Sequence, residues 1–151
     1  MIAPSTVAVR LAASAADREA ALALRLRVFV QEQGVPEAEE RDGDDAQAVH
    51  AVAVLDGVVV GTGRLVAQGQ RSGKIGRMAI ERPLRRQGIG GQILSWLEGE
   101  ARRRGLREAV LHAQTYVQDF YARHGYRAEG AVFLEAGIPH IAMRKMLPRS
   151  S

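Results

Sequence analysis

The sequence has no cysteine among its 151 residues. This absence excludes disulfide bonds, thiolate metal ligands and a cysteine nucleophile, so a covalent thioester intermediate on the chain is not available. A chain without cysteine is also typical of a reducing compartment, and we expect a cytoplasmic location. Any group transfer carried out by this protein therefore has to proceed without a cysteine.

Aromatic residues and long apolar runs are scarce as well. Aromatic residues make up 5% of the chain, which leaves little material for stacking on bases, and no helix-turn-helix pattern is present. No apolar run approaches the roughly 18 residues of a membrane-spanning helix, and the N-terminus lacks the pattern of a signal peptide. We therefore expect neither a nucleic-acid nor a membrane partner. The length of the chain predicts a single domain over residues 1–151.

The positive charge of the chain is unevenly distributed. The net charge is +4, and arginines are bunched at Arg82, Arg85 and Arg86 and again at 102–104. The first group favours contact with a polyanion, such as a phosphorylated cofactor or nucleic acid. The second is typical of a solvated last turn of a helix, where cations suit the macrodipole.

Hydrophobic periodicity and turn signals predict alternating strands and helices. Strands are predicted at 6–12, 50–55, 58–66, 74–80, 110–113, 126–135 and 138–146, and helices at 14–33, 89–104 and 117–124. Leu22, Leu26, Phe29 and Val30 share one face of the first predicted helix, and the predicted buried face of the second consists of Ile89, Ile93, Trp96, Leu97 and Ala101. The order β-α-β-β-β-α-β-α-β-β predicts an α/β fold with a mixed sheet and helices on both faces.

An acidic stretch at 37–47 separates the first predicted helix from the following strand. Its centre, Asp42-Gly43-Asp44-Asp45, lacks the glycine and the closing glutamate of a calcium-binding EF-hand loop. We interpret it as a solvated loop and expect no metal site.

The most informative stretch is Arg85-Arg86-Gln87-Gly88-Ile89-Gly90-Gly91, between a predicted strand and a predicted helix. Glycines allow the backbone to turn sharply and to approach a ligand closely. The first N–H groups of a helix have no partner within the helix, and the dipole makes that end partly positive. The stretch therefore predicts an anion site suited to a pyrophosphate.

Other glycine-rich loops fit this stretch less well. No Gly-Lys-Ser/Thr closes it as in a Walker A loop, and Ile93 stands where a dinucleotide fingerprint needs glycine. A purely structural turn remains the alternative.

The spacing Arg85-x-x-Gly88-x-Gly90 resembles the acyl-CoA loop of the GNAT superfamily of N-acyltransferases. Residues 120–126, Phe-Tyr-Ala-Arg-His-Gly-Tyr, are similar to the second landmark of that superfamily. Residues 28–33, 42–45 and 137–140 resemble the ElaA-like branch. The resemblance implies one GNAT-like domain with a strongly twisted central sheet, and acetyl-CoA as cosubstrate.

The resemblance also implies roles for particular residues. The loop residues Arg85, Arg86, Gln87, Gly88, Ile89, Gly90 and Gly91 would hold the pyrophosphate. The strand before the loop would offer Met78, Ala79 and Ile80 to the pantetheine arm, with their N–H groups as candidates for polarising the thioester carbonyl.

Tyr121 is the candidate general acid. A phenol with a reference pKa near 10 can protonate a thiolate of comparable basicity. Helical periodicity alone favours a core residue at this position, and the resemblance favours the acid.

The general base stays open among Glu32, His50, His112, Glu135, His140 and a chain of water molecules. In the superfamily, the elements that carry Glu32, His50 and His140 border the acceptor side, with Arg64 near, so these four residues are candidates for the amine pocket. Each has a structural alternative: Glu32 as a helix cap, Arg64 in an ion pair, and the histidines as ordinary strand residues.

These observations favour an N-acetyltransferase that moves an acetyl group from acetyl-CoA to a small-molecule or peptide amine by direct attack in a ternary complex. The alternative is a non-catalytic module of the same fold that binds or senses acyl-CoA. The superfamily contains many homodimers, so a homodimer is left open, and so are the acceptor amine and the acyl-chain preference.

Overall fold

The computed structural model describes residues 6–40 and 42–149. Its strands are β1 (Ala8–Leu11), β2 (Val49–Leu55), β3 (Val58–Gln68), β4 (Ser72–Ile80), β5 (Glu108–Gln114), β6 (Arg127–Glu135) and β7 (Ile138–Met146). Its α-helices are α1 (Ala15–Arg25), α2 (Glu37–Glu40), α3 (Ile89–Arg103) and α4 (Gln118–Arg123). The predicted order of strands and long helices is confirmed, and α2 is an addition within the acidic stretch.

The strands form one sheet in the order β1-β2-β3-β4-β5-β7-β6. β4 and β5 pair in parallel, and the remaining neighbours pair antiparallel. The mixed sheet is therefore confirmed. Its one parallel junction lies at its centre, where α3 makes the crossover from β4 to β5.

Helices cover both faces of this sheet, as the alternation along β2 shows. Ala51 and Ala53 belong to the main core cluster with Ile93 of α3, whereas Val52 and Val54 pack in a cluster with Ala21 of α1. Successive residues of a strand point to opposite faces, so α1 and α3 lie on opposite sides.

Two tight hairpins join β2 to β3 and β6 to β7. Asp56 and Gly57 have φ of 50° and 79°, and Ala136 and Gly137 have φ of 52° and 74°. Two consecutive positive φ values are those of a type I′ turn, whose twist matches that of paired strands. Asp-Gly between two strands is a strong sequence signal for such a hairpin, and Asp56-Gly57 forms it.

The first helix begins as predicted, and its second half is unusual. Ser14 Oγ accepts a hydrogen bond from the Asp17 N–H at 3.0 Å. α1 then continues as a π-helical segment, Leu26–Glu32. This wide helical form is rare and is frequently found at functional sites.

The face of this helix that carries Leu22, Leu26, Phe29 and Val30 is not its most buried face. The buried residues are Ala21, Leu24, Arg25 and Val28, whereas Leu22, Leu26, Phe29 and Val30 are only partly buried. Arg25 is buried because acidic side chains from the stretch after the helix pair with it. The helix is therefore rotated relative to the face that its leucines suggest.

The second long helix follows its predicted pattern more closely. Ile89, Ile93, Leu97 and Ala101 are buried, and Trp96 is partly exposed. Buried Glu98 accepts a hydrogen bond from the Tyr126 hydroxyl at 2.9 Å and pairs with Lys145 at 3.0 Å. None of the described helices combines the length and apolarity that crossing a bilayer requires.

Candidate active site

The two central parallel strands separate after a short paired region. β4 and β5 pair only from Ser72–Lys74 to Glu108–Val110, although β4 runs on to Ile80 and β5 to Gln114. On its other edge β5 stays paired with β7 along its whole length. Residues 75–80 and 111–114 therefore border a wedge-shaped opening, here called the β4–β5 cleft, which exposes backbone polar groups on facing edges.

β4 carries a bulge inside this cleft. Gly76 pairs with Arg64 and Ala79 with Thr62, so β4 has an extra residue relative to β3, and Arg77 has a φ of 52°. A bulge re-aims the strand locally and is over-represented next to active sites.

The residues after the bulge divide their N–H groups between the two sides of β4. The Glu81 N–H donates to Val60 O of the β3 side at 2.8 Å. Because N–H directions alternate along a strand, the Ala79 N–H also faces β3, whereas those of Met78 and Ile80 face the cleft. Of the three backbone N–H groups predicted to polarise the thioester, those of Met78 and Ile80 therefore face the cleft, and that of Ala79 does not.

The glycine loop, residues 85–91, leaves the first turn of α3 without a side-chain cap. Gly88 is the N-cap residue with a φ of 85°, and no side chain bonds to the turn. A capping side chain needs extended backbone at this position, which the left-handed Gly88 does not provide. The N–H groups of Ile89, Gly90 and Gly91 thus remain available to a ligand.

Side chains of α4 lie against this first turn. A Cβ atom on Gly91 would stand 3.0 Å from His124 Cε1, and one on Gly90 would stand 3.4 Å from Phe120 Cζ. The glycines therefore let α3 and α4 approach closely. Beside them runs a groove of about 680 Å³ along α3, lined by Gly88, Gly91, Gln92, Phe120 and His124 among others.

The two loop arginines behave differently. Arg85 donates to Ile80 O at 3.0 Å and pairs with Glu32 at 2.9 Å, so it ties the loop to the end of β4 and to the π-helical segment. Arg27 of the same segment pairs with Glu81. Within the described part of the chain Arg86 has no ion pair, and its φ of 67° places it on the turn itself. Arg86 is therefore the loop cation that is available for an anion.

Tyr121 lies on α4, which follows the open end of β5. Its ring is partly buried against the main core and packs edge-on to Phe120 at 5.0 Å and Tyr126 at 5.9 Å between centroids. Burial, with a smaller effect of Tyr116, raises the pKa of Tyr121 to about 12. The phenol is therefore protonated throughout the neutral range.

The four candidate amine-pocket residues fall into three separate sets of contacts. Glu32 pairs with Arg85 of the glycine loop. His50 and Arg64 are cross-strand partners, with His50 Nε2 2.9 Å from Asp45 O. His140 is buried on β7, with Nδ1 2.6 Å from Ile138 O.

A further contact joins the end of β5 to the end of the first helix: the Gln114 side-chain amide donates to Gln33 Oε1 at 2.9 Å.

Residues 42–44 are exposed, as expected of a solvated loop, but carboxylates of the acidic stretch are also paired with arginines of other elements. Three arginines and three carboxylates form one charge cluster: Arg25, Arg64, Arg77, Glu40, Asp42 and Asp45. Arg25, Arg64 and Glu40 are buried in it. Since Arg77 sits at the β4 bulge, the cluster joins the acidic stretch to the strand that borders the cleft.

The cluster keeps Asp42 ionised at lower pH than an ordinary aspartate. The hydrogen bonds from Arg64, at 2.7 and 2.8 Å, outweigh burial and hold the pKa of Asp42 well below its usual range. Such a lowered pKa contributes stability that is fully present above the unfolded-state pKa near 4 and is lost as the pH falls towards the lower, folded-state pKa.

We expect Asp42→Asn to lower the free energy of unfolding by about 2 kcal/mol at pH 7, because the bonds to arginine lose their charge. Urea titrations from pH 7 to pH 3 check this, and the difference between variant and parent should shrink below about pH 4. Asp44→Asn is the matched control, because Asp44 is exposed and makes no side-chain cap. A difference that is independent of pH would contradict the assignment.

The described residues contain no group of three or more His, Asp or Glu side chains arranged to hold a metal ion.

Comparison with known proteins gives a consistent picture. The family described as "Acetyltransferase (GNAT) domain" matches residues 12–147. The N-acetyltransferase YjcF of Bacillus subtilis, itself uncharacterised, is 39% identical over 123 residues, which cover 81% of this chain and 87% of YjcF. An acyl-CoA N-acyltransferase from Pseudomonas aeruginosa has a similar structure, with a TM-score of 0.81, 33% identity and coverage of 94% of this chain and 99% of that one. Escherichia coli ElaA superposes with a TM-score of 0.80, 28% identity and the same coverages.

Proposed function

The chain belongs to the GNAT family and is an acyl-CoA-dependent N-acyltransferase; on that premise we propose that it moves an acetyl group from acetyl-CoA to a primary amine by direct attack in a ternary complex. The observation that carries the proposal is the β4–β5 cleft, which opens beside the uncapped first turn of α3. Direct attack also fits the absence of cysteine, which leaves no thiol to hold the acetyl group.

In our proposal acetyl-CoA binds to both features, the uncapped first turn of α3 and the β4–β5 cleft. In our proposal the N–H groups of Ile89, Gly90 and Gly91, with Arg86, bind the pyrophosphate at the positive end of α3. The remaining loop residues Arg85, Gln87 and Gly88 hold that turn in shape. The pantetheine arm lies along the unpaired edge of β4, where its amides find the backbone groups that a β5 partner would otherwise take.

The carbonyl of the thioester is polarised by the cleft-facing N–H groups of Met78 and Ile80 in this arrangement. Fixed backbone donors stabilise negative charge as it develops on the carbonyl oxygen, without reorganisation at the moment of reaction. The buried side chain of Ala79, packed against Leu24 and Val28, keeps this part of β4 in place.

Tyr121 acts as the general acid in our proposal. Its raised pKa keeps the hydroxyl protonated, and burial of the same region also raises the basicity of the departing thiolate. A proton delivered to sulfur prevents the thiolate from returning to the carbonyl carbon.

The amine enters from the face of the sheet that carries α1. The end of the first helix, the cleft-facing half of β5 and His140 border this side. Glu32 contributes by its link to Arg85, and His50 and Arg64 by anchoring the acidic stretch through Asp45.

The test is a steady-state assay of CoA release from acetyl-CoA with a panel of ethylamine, putrescine, spermidine, tyramine and an Ala-initiated peptide. We expect amine-dependent release and a matching mass gain of one acetyl group on the acceptor. Calorimetric titration with acetyl-CoA serves as the parallel readout. Binding of acetyl-CoA with no acetylation of any amine would refute the transferase proposal and favour a non-catalytic acyl-CoA-binding module.

A further inference from the structure

Three titratable side chains meet on one face of the sheet where β5, β7 and β6 run side by side. His112 Nδ1 lies 2.9 Å from Glu135 Oε1, and His140 Nε2 lies 3.6 Å from Glu135 Oε2. The register places His112 opposite Ala142 and Phe133 opposite His140, so all of these side chains share a face. We call this group the His–Glu–His cluster.

The cluster borders the β4–β5 cleft. His112 belongs to the part of β5 that extends beyond its last pairing with β4. Gln114, two residues further on and therefore on the same face, contacts Gln33 at the end of the first helix. The intervening Ala113 points instead into the core that includes α3 and Tyr121. His112 and the candidate acid Tyr121 thus approach the cleft from opposite faces of the sheet.

The contacts of His112 determine which ring nitrogen carries the proton. A carboxylate can only accept, so Nδ1 carries the hydrogen that it donates to Glu135, and Nε2 of the neutral ring keeps a lone pair. Burial opposes ionisation of Glu135, but the hydrogen bond and charge of His112, with the charges of His140 and Lys74, lower the pKa of Glu135. Phe133 packs edge-on to His112 at 5.0 Å between centroids and limits rotation of its ring.

The other candidate bases are already engaged. Glu32 is held by Arg85, and His50 Nε2 contacts Asp45 O. His140 is buried and uses Nδ1 on Ile138 O. The His112 side chain is 33% exposed, and its Nε2 has no partner within the described residues. His112 therefore combines access from solvent with a fixed tautomer.

We propose that His112 is the general base of the acetyl transfer, accepting the amine proton at Nε2, and that Glu135 is the positioning residue that holds the productive tautomer. The inference rests on the proposed N-acetyltransferase function. Carboxylate-oriented imidazole is a recurrent arrangement for proton abstraction on unrelated folds.

The proton balance of the step is as follows. The ammonium form of the amine gives one proton to His112 Nε2, and the nitrogen lone pair then attacks the thioester carbonyl carbon. As the C–N bond forms, the C–S bond breaks, and its electron pair leaves with sulfur, which takes the Tyr121 proton. The second proton of the attacking nitrogen returns through water to the Tyr121 oxygen, and His112 releases its proton to solvent, leaving amide, CoA thiol and one free proton.

The kinetic test compares two acceptors of similar shape. Ethylamine is almost wholly an ammonium ion at pH 7, whereas 2,2,2-trifluoroethylamine is already neutral and needs no base before attack. We expect His112→Gln to lower kcat/KM for ethylamine by about 100-fold and that for trifluoroethylamine by less than about tenfold. Equal losses with both amines would overturn the assignment.

The positioning role is tested with Glu135→Gln, which keeps the shape and removes the charge. We expect kcat/KM for ethylamine to fall by about tenfold and that for trifluoroethylamine by less than about threefold, because only the first amine has to give a proton to His112 before attack. Glu129→Gln is the matched control, since Glu129 is on the same strand and pairs with Arg144, away from the cluster. Equal losses with the two amines in Glu135→Gln would contradict the positioning role.

A spectroscopic arm separates this inference from the proposed function. In the free protein at pH 8, ¹⁵N shifts of the His112 ring should show the proton on Nδ1, and this preference should be lost in Glu135→Ala, which removes the acceptor. If the parent protein acetylates no amine of the panel, the proposed function fails. The ¹⁵N measurement of the tautomer then still tests the contact between His112 and Glu135. A proton on Nε2 of His112 in the parent would overturn the inference.

Discussion

Replacement of Tyr121 by phenylalanine is expected to lower kcat by about 100- to 10,000-fold while leaving acetyl-CoA binding nearly unchanged. This is the range over which a positioned acid or base contributes to a rate. The effect should reach kcat and kcat/KM equally, because the proton is needed only as sulfur leaves. A stopped assay of CoA release measures kcat, and calorimetric titration measures the affinity for acetyl-CoA.

The substitution removes one hydroxyl and keeps the ring. Phenylalanine preserves the edge-on contacts of the ring with Phe120 and Tyr126, so the packing around α4 is retained. The Tyr121 hydroxyl has no hydrogen-bond partner among the described residues, and its loss therefore strands no buried group. A fall in turnover then reports on chemistry.

Tyr116→Phe is the control for this experiment. Tyr116 is 73% exposed and precedes α4, and it is the neighbouring phenol that contributes to the raised pKa of Tyr121. We expect its removal to change kcat by no more than about threefold, which is well below the effect of a direct acid. If Tyr116→Phe were the damaging variant and Tyr121→Phe the silent one, Tyr121 would be a core residue only.

Gly90→Asp should weaken acetyl-CoA binding by at least about 100-fold without destabilising the fold. A carboxylate in the first turn of α3 would stand where the pyrophosphate is expected. Two unit charges about 4 Å apart repel by about 4 kcal/mol near a protein surface, and each 1.4 kcal/mol is a factor of ten in affinity.

The same carboxylate is favourable for the helix itself. Negative charge at a helix N-terminus stabilises by about 0.3–1 kcal/mol, and aspartate replaces a glycine within the helix. A new Cβ on Gly90 meets Phe120 at 3.4 Å, an ordinary contact distance. We therefore expect an unchanged or higher Tm together with lost binding, a combination that unfolding cannot produce.

Gly99→Asp supplies the matched control on the same helix. It adds the same charge about 13 Å further along α3, at the far end of the groove, where the nearest atom to a new Cβ is Arg103 Nη1 at 3.9 Å. Its affinity for acetyl-CoA should stay within about threefold of the parent, because the charge is remote from the first turn and screened. Equal affinity in Gly90→Asp and in the parent would refute the anion site at the glycine loop.

Local sequence determined the element order and the turns of this protein. The dipeptides Asp56-Gly57 and Ala136-Gly137 form type I′ turns, and the glycines of 85–91 lie at the start of α3. Such features depend on backbone conformations within a few residues, and they can be read directly from the chain. The glycine spacing carries only a resemblance to the GNAT family; membership is shown by the family match over residues 12–147, and the roles of Tyr121 and of the amine-pocket residues stay predictions.

Tertiary structure alone decided which charged groups meet. Arg25 looks like a solvated residue of an apolar helix, but it is buried because Glu40 and Asp45 return to it after a turn. Glu32 reaches Arg85, and Glu135 joins His112, through pairs that are 53 and 23 residues apart. Hydrophobic periodicity gives the face of an element, but burial of a charge depends on a partner from another element.

The chain by itself therefore specified the fold and the backbone loop suited to a pyrophosphate. The folded sheet specified the rest: the length over which β4 and β5 separate, the bulge at Arg77, and the imidazole that a carboxylate orients beside the cleft. A backbone N–H site needs only glycines and a helix start in sequence, whereas a proton-transfer pair needs two side chains brought within hydrogen-bond distance by strand register.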